Sequence, residues 1–97
     1  FAYADWRDST RDAPDFITGF DGVGASAGDR IDLAAVYAGT LTFRGTGVFT
    51  GVGQVRIDTD ESGYSLVLVN LTGNTAPEME IRVNSYGDQW VAGDFVL

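Results

Sequence analysis

The chain has 97 residues, a length that gives one domain with a modest hydrophobic core. Its basic residues number 6, all of them arginine, against 14 acidic residues, and the resulting net charge of −8 argues against binding to nucleic-acid phosphates. Because the sequence has no cysteine, histidine or lysine, it excludes disulfides, thiolate or imidazole metal sites and lysine-based covalent catalysis, and therefore favours a non-catalytic module.

The first third of the chain is acidic and rich in turn-forming residues. Phe1-Ala2-Tyr3 predicts a short strand that continues a longer polypeptide, because neither an initiator methionine nor a signal peptide precedes it. The polar residues 7–15 predict a surface loop, and Phe16-Ile17 supplies the first apolar anchors. Residues 29–37 predict one short helical turn, for which Asp32 is the expected N-cap.

Most of the remaining chain alternates between apolar and polar residues with a period of two. The alternation is clear at residues 55–58 and 79–83, and it predicts half-buried antiparallel strands. Residues 64–71 are apolar at almost every position, so we expect this strand at the centre of the sheet with both faces covered. The longest unbroken apolar run in the chain, Leu66 to Val69, is far too short to insert into a membrane as a helix.

Turn signals separate these strands. Residues 60–63 predict a hairpin loop, with Gly63 available for the position that needs a positive φ. Residues 90–97 form an aromatic and aliphatic cluster that we expect to fold back on the core. The predicted fold of residues 1–97 is therefore a single mostly β domain, a small antiparallel sheet or sandwich with one short helical turn.

The aspartates of the first third are candidate metal ligands. Seven of them lie among the first 32 residues, interspersed with glycines: Asp5, Asp8, Asp12, Asp15, Asp21, Asp29 and Asp32. Ca²⁺ takes about six to eight oxygen ligands, and loops of aspartate and glycine supply carboxylate and carbonyl oxygens together. The same aspartates can instead cap turns or remain solvated, and the residues alone leave both interpretations open.

Several segments, taken in order along the chain, carry a resemblance to a known family. They are Asp15-Phe16-Ile17-Thr18-Gly19-Phe20, Gly28-Asp29-Arg30-Ile31-Asp32-Leu33, Phe49-Thr50-Gly51-Val52-Gly53-Gln54-Val55-Arg56, and Ala92-Gly93-Asp94-Phe95-Val96-Leu97. Their order resembles the C-terminal RTX region of serralysin-type metalloproteases and of other type I secreted bacterial proteins. No GGxGxD nonapeptide occurs in the chain, so the resemblance implies that the calcium-binding β-roll of such proteins either lies upstream of Phe1 or is absent.

The resemblance implies a non-catalytic C-terminal module that caps an upstream parallel β-roll. A cap is physically required, because the open edge and apolar interior of a roll would otherwise aggregate. The implied partners are the upstream roll of the same polypeptide and a type I ABC exporter, and the implied location is extracellular. The implied export signal is Asp94, Phe95, Val96 and Leu97. The implied Ca²⁺ ligands are Asp15 and Asp29, followed by Asp8 and Asp32.

An alternative from another class is a carbohydrate-binding module, similar to the R-modules of secreted mannuronan epimerases. Residues 33–57 contain no acidic residue. In this alternative, Arg44, Arg56 and Arg82, together with exposed aromatic side chains, contact an anionic polysaccharide such as alginate.

Overall fold

Two β-sheets make up most of the regular structure. The computed structural model describes residues 2–10, 12–18, 30–59, 61, 63–72, 77–84 and 90–97. The strands are β1 (Asp15–Ile17), β2 (Ile31–Asp32), β3 (Thr42–Phe43), β4 (Gln54–Thr59), β5 (Ser65–Asn70), β6 (Met79–Val83) and β7 (Phe95–Val96). Two 3-10 turns, Trp6–Asp8 and Ala92–Asp94, are the helical elements of the described residues. The prediction of a mostly β domain is confirmed.

The larger sheet has the strand order β1-β6-β5-β4-β3, so β5 lies at its centre. Val67 and Val69 on one face of β5 are fully buried, and Leu68 on the other face is 6% exposed, which confirms the prediction of a strand covered on both sides. Strands β4, β5 and β6 pair antiparallel, but β1 pairs parallel with β6 and β3 pairs parallel with β4. The sheet is therefore mixed. Parallel pairing requires a connection longer than a hairpin, and both edge strands are connected in this way.

The core lies against the face of the larger sheet formed by alternate residues of its strands. Val55 pairs with Val69, and Ile57 with Val67, so these side chains stack on one face. The smaller sheet, β2 paired parallel with β7, adds Ile31 and Phe95 to the same cluster. Each of these side chains stabilises the fold by about 1.5–3 kcal/mol through removal from water. Trp90 also belongs to this cluster, so residues 90–97 fold back on the core as predicted.

The short helical turns lie at residues 6–8 and 92–94 rather than at the predicted residues 29–37. Ile31 and Asp32 instead form β2, whose partner β7 lies more than sixty residues further along the chain. The cap assigned to Asp32 is nevertheless present, because its Oδ1 accepts the Ala34 N–H at 3.0 Å and begins a single turn. Asp29 lies outside the described residues.

Ser9 ties the N-terminal segment to β6. Ser9 is fully buried, its hydroxyl donates to the Glu80 carbonyl, and the same hydroxyl accepts the Asp15 N–H at 2.8 Å. The Ser9 carbonyl accepts the Glu80 N–H at 3.2 Å, and Thr10 bridges Met79 in antiparallel fashion. Part of the predicted surface loop at residues 7–15 is therefore a strap that runs along β6.

The hairpin between β4 and β5 is confirmed in outline. Thr59 pairs with Ser65, and Gly63 has a φ of +88°. Among the described residues, no helix has the length and apolar character that crossing a bilayer requires.

Candidate functional site

Residues from both ends of the described chain meet in one parallel ladder. Ala2 bridges Asp32 in parallel, and the Tyr3 N–H donates to the Asp32 carbonyl at 3.1 Å. On the other side of β2, the Leu33 N–H donates to the Val96 carbonyl at 2.9 Å. The order is therefore residues 2–3, β2 and β7. Within the described residues, no strand pairs with the outer edge of residues 2–3.

The four residues predicted as an export signal are built into this ladder and the adjoining core. Asp94 is fully buried, and its Oδ2 accepts the Val91 N–H at 2.9 Å, which closes the second 3-10 turn. Phe95 is 6% exposed, whereas Val96 points outward and is 40% exposed. The Leu97 carbonyl accepts a longer hydrogen bond, 3.4 Å, from the Leu41 N–H. The segment is thus structured in the folded domain, and its role in export stays a prediction.

Three of the four predicted calcium ligands are described, and each already has a hydrogen-bonding role. Asp8 Oδ2 accepts the N–H groups of Ala4 and Asp5, both at 3.2 Å. The Asp15 carboxylate accepts the hydroxyl of Tyr3, and Asp32 caps its own turn. Among the described residues, no group of three acidic side chains is placed to hold a metal ion. The calcium-ligand set Asp8, Asp15, Asp29 and Asp32, of which Asp29 lies outside the described residues, stays a prediction.

Burial and two of these carboxylates shift the pKa of the Tyr3 hydroxyl. Burial raises the pKa of the Tyr3 hydroxyl, and the negative charge of Asp15, its hydrogen bond with that carboxylate and the negative charge of Asp8 raise the pKa further. The hydroxyl therefore stays protonated at neutral pH and acts as a donor that joins the ladder to β1.

Two of the arginines assigned to the polysaccharide alternative hold the loop between β3 and β4. Arg56 Nε donates to the Gly47 carbonyl at 3.1 Å, and Arg44 Nε donates to the Val48 carbonyl at 3.4 Å. Arg56 also forms an ion pair with Asp58, at 3.5 Å between Nη1 and Oδ2. Much of the hydrogen-bonding capacity and charge of these side chains therefore serves the protein's own loop.

The third arginine, Arg82, lies on the outer face of β6 and is paired within its own strand. Its Nε donates to Glu80 Oε2 at 2.9 Å, and the Glu80 side chain is only 8% exposed. The two residues border an open cleft of about 630 Å³. Its lining residues are Trp6, Thr10, Asp12, Pro77, Glu78, Glu80 and Arg82. Since Arg82 is partly neutralised and the cleft is otherwise acidic, this geometry does not favour an anionic polysaccharide.

Comparison with known protein families decides the relationship that the sequence suggested. The sequence profile of one family, described as the peptidase M10 serralysin C terminal, matches residues 1–97, the whole chain. The chain belongs to the serralysin C-terminal family. This family is the non-catalytic, RTX-type C-terminal part of serralysin-type proteins, which are secreted bacterial proteins. The resemblance is confirmed, and a search of curated proteins found no match.

One segment that carried the resemblance has a clear structural role in this serralysin C-terminal domain. Gln54 Oε1 accepts the N–H groups of Thr50 and Gly51 at 2.7 and 3.1 Å, and its Nε2 donates to Thr50 Oγ1 at 2.8 Å. Gly53 has a φ of +74° and lies under the ring of Tyr37. These residues clamp the loop so that β3 and β4 can pair in parallel.

Sequence reasoning missed two polar residues that organise the serralysin C-terminal fold. Ser9 joins β6 to β1, and Glu78 Oε1 accepts the N–H groups of Leu71 and Thr72 at 2.6 and 3.1 Å. Their contacts lie across the sheet or across a loop, so no local pattern marks them. The segment Asp5-Trp6-Arg7-Asp8 did carry a local sequence signal. Its two acidic residues are three positions apart, and they form a capping box.

Proposed function

We propose that this domain is the non-catalytic cap and export module of a larger calcium-dependent extracellular RTX protein. The observation that carries the proposal is the parallel ladder of residues 2–3, β2 and β7, whose outer edge at residues 2–3 pairs with no other strand of the described residues. A parallel β-roll ends in an edge with the same hydrogen-bonding pattern, so the last coil of a roll can pair with residues 2–3 without a change of direction.

The other sheet edges support the role of a terminal unit. The edge strands of the larger sheet are short, with three residues in β1 and two in β3. Short edge strands limit further pairing and thereby reduce edge-to-edge aggregation. The domain thus combines one edge suited to continuing a roll with two edges suited to ending it, as the terminal unit of a repeat structure requires.

The position of Asp94, Phe95, Val96 and Leu97 supports export before folding. In the folded domain Asp94 and Phe95 are buried and Val96 is paired with β2, so a transporter can read this segment only in the unfolded chain. In the proposal, Ca²⁺ binds the upstream roll, and a type I ABC exporter recognises the unfolded C-terminal segment. Folding outside the cell then conceals the signal.

Deletion of residues 94–97 should abolish export of the full polypeptide by its cognate type I exporter. The matched control is Phe43→Ala, which removes a ring 5.4 Å from that of Phe95 and leaves the four C-terminal residues unchanged. We expect this control to be exported at the level of the unsubstituted protein, because the exporter reads an unfolded segment. Secreted and cell-associated protein are compared by immunoblot. Full export of the deletion contradicts the signal, and equal loss in both variants contradicts recognition of the segment itself.

A version of the polypeptide that ends immediately before Phe1 should aggregate when it refolds in millimolar Ca²⁺. Without the domain, the last coil of the roll exposes unpaired backbone groups and apolar side chains. Light scattering during refolding measures the difference, and the same two proteins kept in chelator serve as the control. Equal solubility of the long and short versions in Ca²⁺ would count against a capping role.

A further inference from the structure

We infer that the described carboxylates of this domain confer no calcium dependence on its stability. Five of them, those of Asp5, Asp8, Asp32, Glu78 and Asp94, act as hydrogen-bond caps for backbone N–H groups rather than as calcium ligands. This goes beyond the proposed function, which places Ca²⁺ on the upstream roll. It also means that the large number of acidic residues in the sequence does not by itself indicate metal binding.

The first 3-10 turn shows the arrangement most fully. Asp5 Oδ1 accepts the Arg7 N–H at 2.9 Å, and Asp8 Oδ2 accepts the Asp5 N–H at 3.2 Å, which is a reciprocal capping box. Asp5 also binds the Arg7 side chain through both of its carboxylate oxygens. Both carboxylates are thus directed at the protein's own donors within one turn.

The same use of a carboxylate recurs in other parts of the fold. Asp32 accepts the Ala34 N–H at 3.0 Å, and Asp94 accepts the Val91 N–H at 2.9 Å. Glu78 accepts the N–H groups that follow β5, the nearer of them at 2.6 Å. Each of these acceptors satisfies a backbone N–H at the start of a turn or after a strand, where the regular ladder no longer supplies a partner.

A Ca²⁺ ion would compete with these contacts for the same oxygens. It needs several carboxylates at one point, whereas no three acidic side chains of the described residues are placed to hold one metal ion. Drawing a capping oxygen onto a metal would leave its N–H donor unpaired, which is costly. Hydrogen bonds to an ionised acceptor are also stronger than those between neutral groups. The hydrogen bonds from backbone N–H groups to these carboxylates therefore resist displacement by a metal ion.

Amide substitution separates the two roles. Asparagine caps a turn about as well as aspartate does, but it removes the anionic charge on which a Ca²⁺ site depends. We therefore compare Asp8→Asn and Asp32→Asn with Asp8→Ala and Asp32→Ala, using thermal unfolding of the 97-residue chain in millimolar Ca²⁺ and in chelator. The matched control is Asp12→Ala, since Asp12 is exposed.

We expect the difference in melting temperature between the two media to be the same for the unsubstituted chain and for all five variants. The two alanine variants should melt about 4–8 °C lower in Ca²⁺ and in chelator alike, while the asparagine variants and Asp12→Ala should stay close to the unsubstituted chain. An asparagine variant that loses stability only in the presence of Ca²⁺ would overturn the inference.

Asp21, Asp29, Asp60 and Asp88 lie outside the described residues and need their own control. A calcium-dependent rise in melting temperature that survives the quadruple variant Asp21→Asn/Asp29→Asn/Asp60→Asn/Asp88→Asn would overturn the inference, because only the described carboxylates would remain to bind the ion. A rise that this variant abolishes supports it. Neither outcome affects the export and aggregation tests, which are measured on the longer polypeptide and therefore fail or succeed separately.

Discussion

Phe95→Ala should lower the free energy of unfolding by about 3–5 kcal/mol, a large part of the stability of a domain of this size. The Phe95 ring is 6% exposed and stacks on Trp90 with the ring centroids 5.5 Å apart. Its centroid also lies 5.4 Å from that of Phe43. Truncation would leave a cavity between the rings of Trp90 and Phe43. Phe43 is fixed by strand pairing and Trp90 by burial, so the two rings can move only partly into the cavity. Urea denaturation followed by tryptophan fluorescence measures the loss.

Val96→Ala is the matched control for this substitution. Val96 is the next residue of β7, takes part in the same parallel ladder, and is 40% exposed. We expect it to cost less than about 1 kcal/mol, because little buried surface is lost and the backbone pairing is unchanged. Comparable losses for the two variants would show that the ladder, rather than the aromatic cluster, determines the stability of this region.

The double role of Phe95 constrains how its function can be tested. The residue belongs both to the folded core and to the segment proposed as the export signal, so a loss of export in Phe95→Ala would have two explanations. Phe43→Ala weakens the same aromatic cluster from the other side without changing the signal. This is why the export experiment rests on the deletion and on Phe43 rather than on Phe95.

The burial of a side chain was predictable from the sequence wherever the apolar pattern within a single strand indicates it. The alternation at residues 55–58 and 79–83 indicates which side chains face the core, and the lack of alternation at residues 64–71 indicates a strand covered on both faces. Each of these features is local, since it depends only on the pleat of one strand. Gly63 was predictable for a similar reason, because a positive φ in a short loop favours glycine.

Strand direction and the long-range contacts were not predictable in this way. Alternation is the same for parallel and antiparallel neighbours, so it could not reveal that β1 and β3 pair parallel. Leu33, Val36 and Tyr37 have helical spacing, yet the pairing of Ile31 with Phe95 decides the local structure. Tertiary context overrides such a short pattern.

The candidate site shows the same division. The acidic character of the first third was visible, but the partner of each carboxylate was not, because an aspartate that caps a turn and one that binds a metal have the same sequence. The capping box at Asp5 and Asp8 is the local exception. The ladder that joins residues 2–3 to β7 depends on contacts across almost the whole chain, and no window of the sequence contains it.

Gly53→Ala should destabilise the domain by about 2–5 kcal/mol. Gly53 has a φ of +74°, where an alanine costs about 1–2 kcal/mol. An added Cβ would also lie 2.8 Å from the ring and hydroxyl atoms of Tyr37, a contact that forces Tyr37 to move and adds a cost of about 1–3 kcal/mol. Gly51→Ala is the matched control in the same loop, because no heavy atom lies within 4 Å of its Cβ position. We expect it to change the stability by less than about 0.5 kcal/mol.

A double-mutant cycle with Tyr37→Ala separates the two causes of the Gly53→Ala effect. Removing the Tyr37 ring relieves the contact and leaves the backbone strain, so the double variant should lose less stability than the sum of the single variants. The difference should be about 1–3 kcal/mol, measured by urea denaturation. Strict additivity would mean that Tyr37 moves aside freely and that backbone conformation alone requires glycine. Non-additivity would show that the loop needs Gly53 for two reasons, the positive φ of the turn and the close approach of Tyr37. Neither reason applies to Gly51.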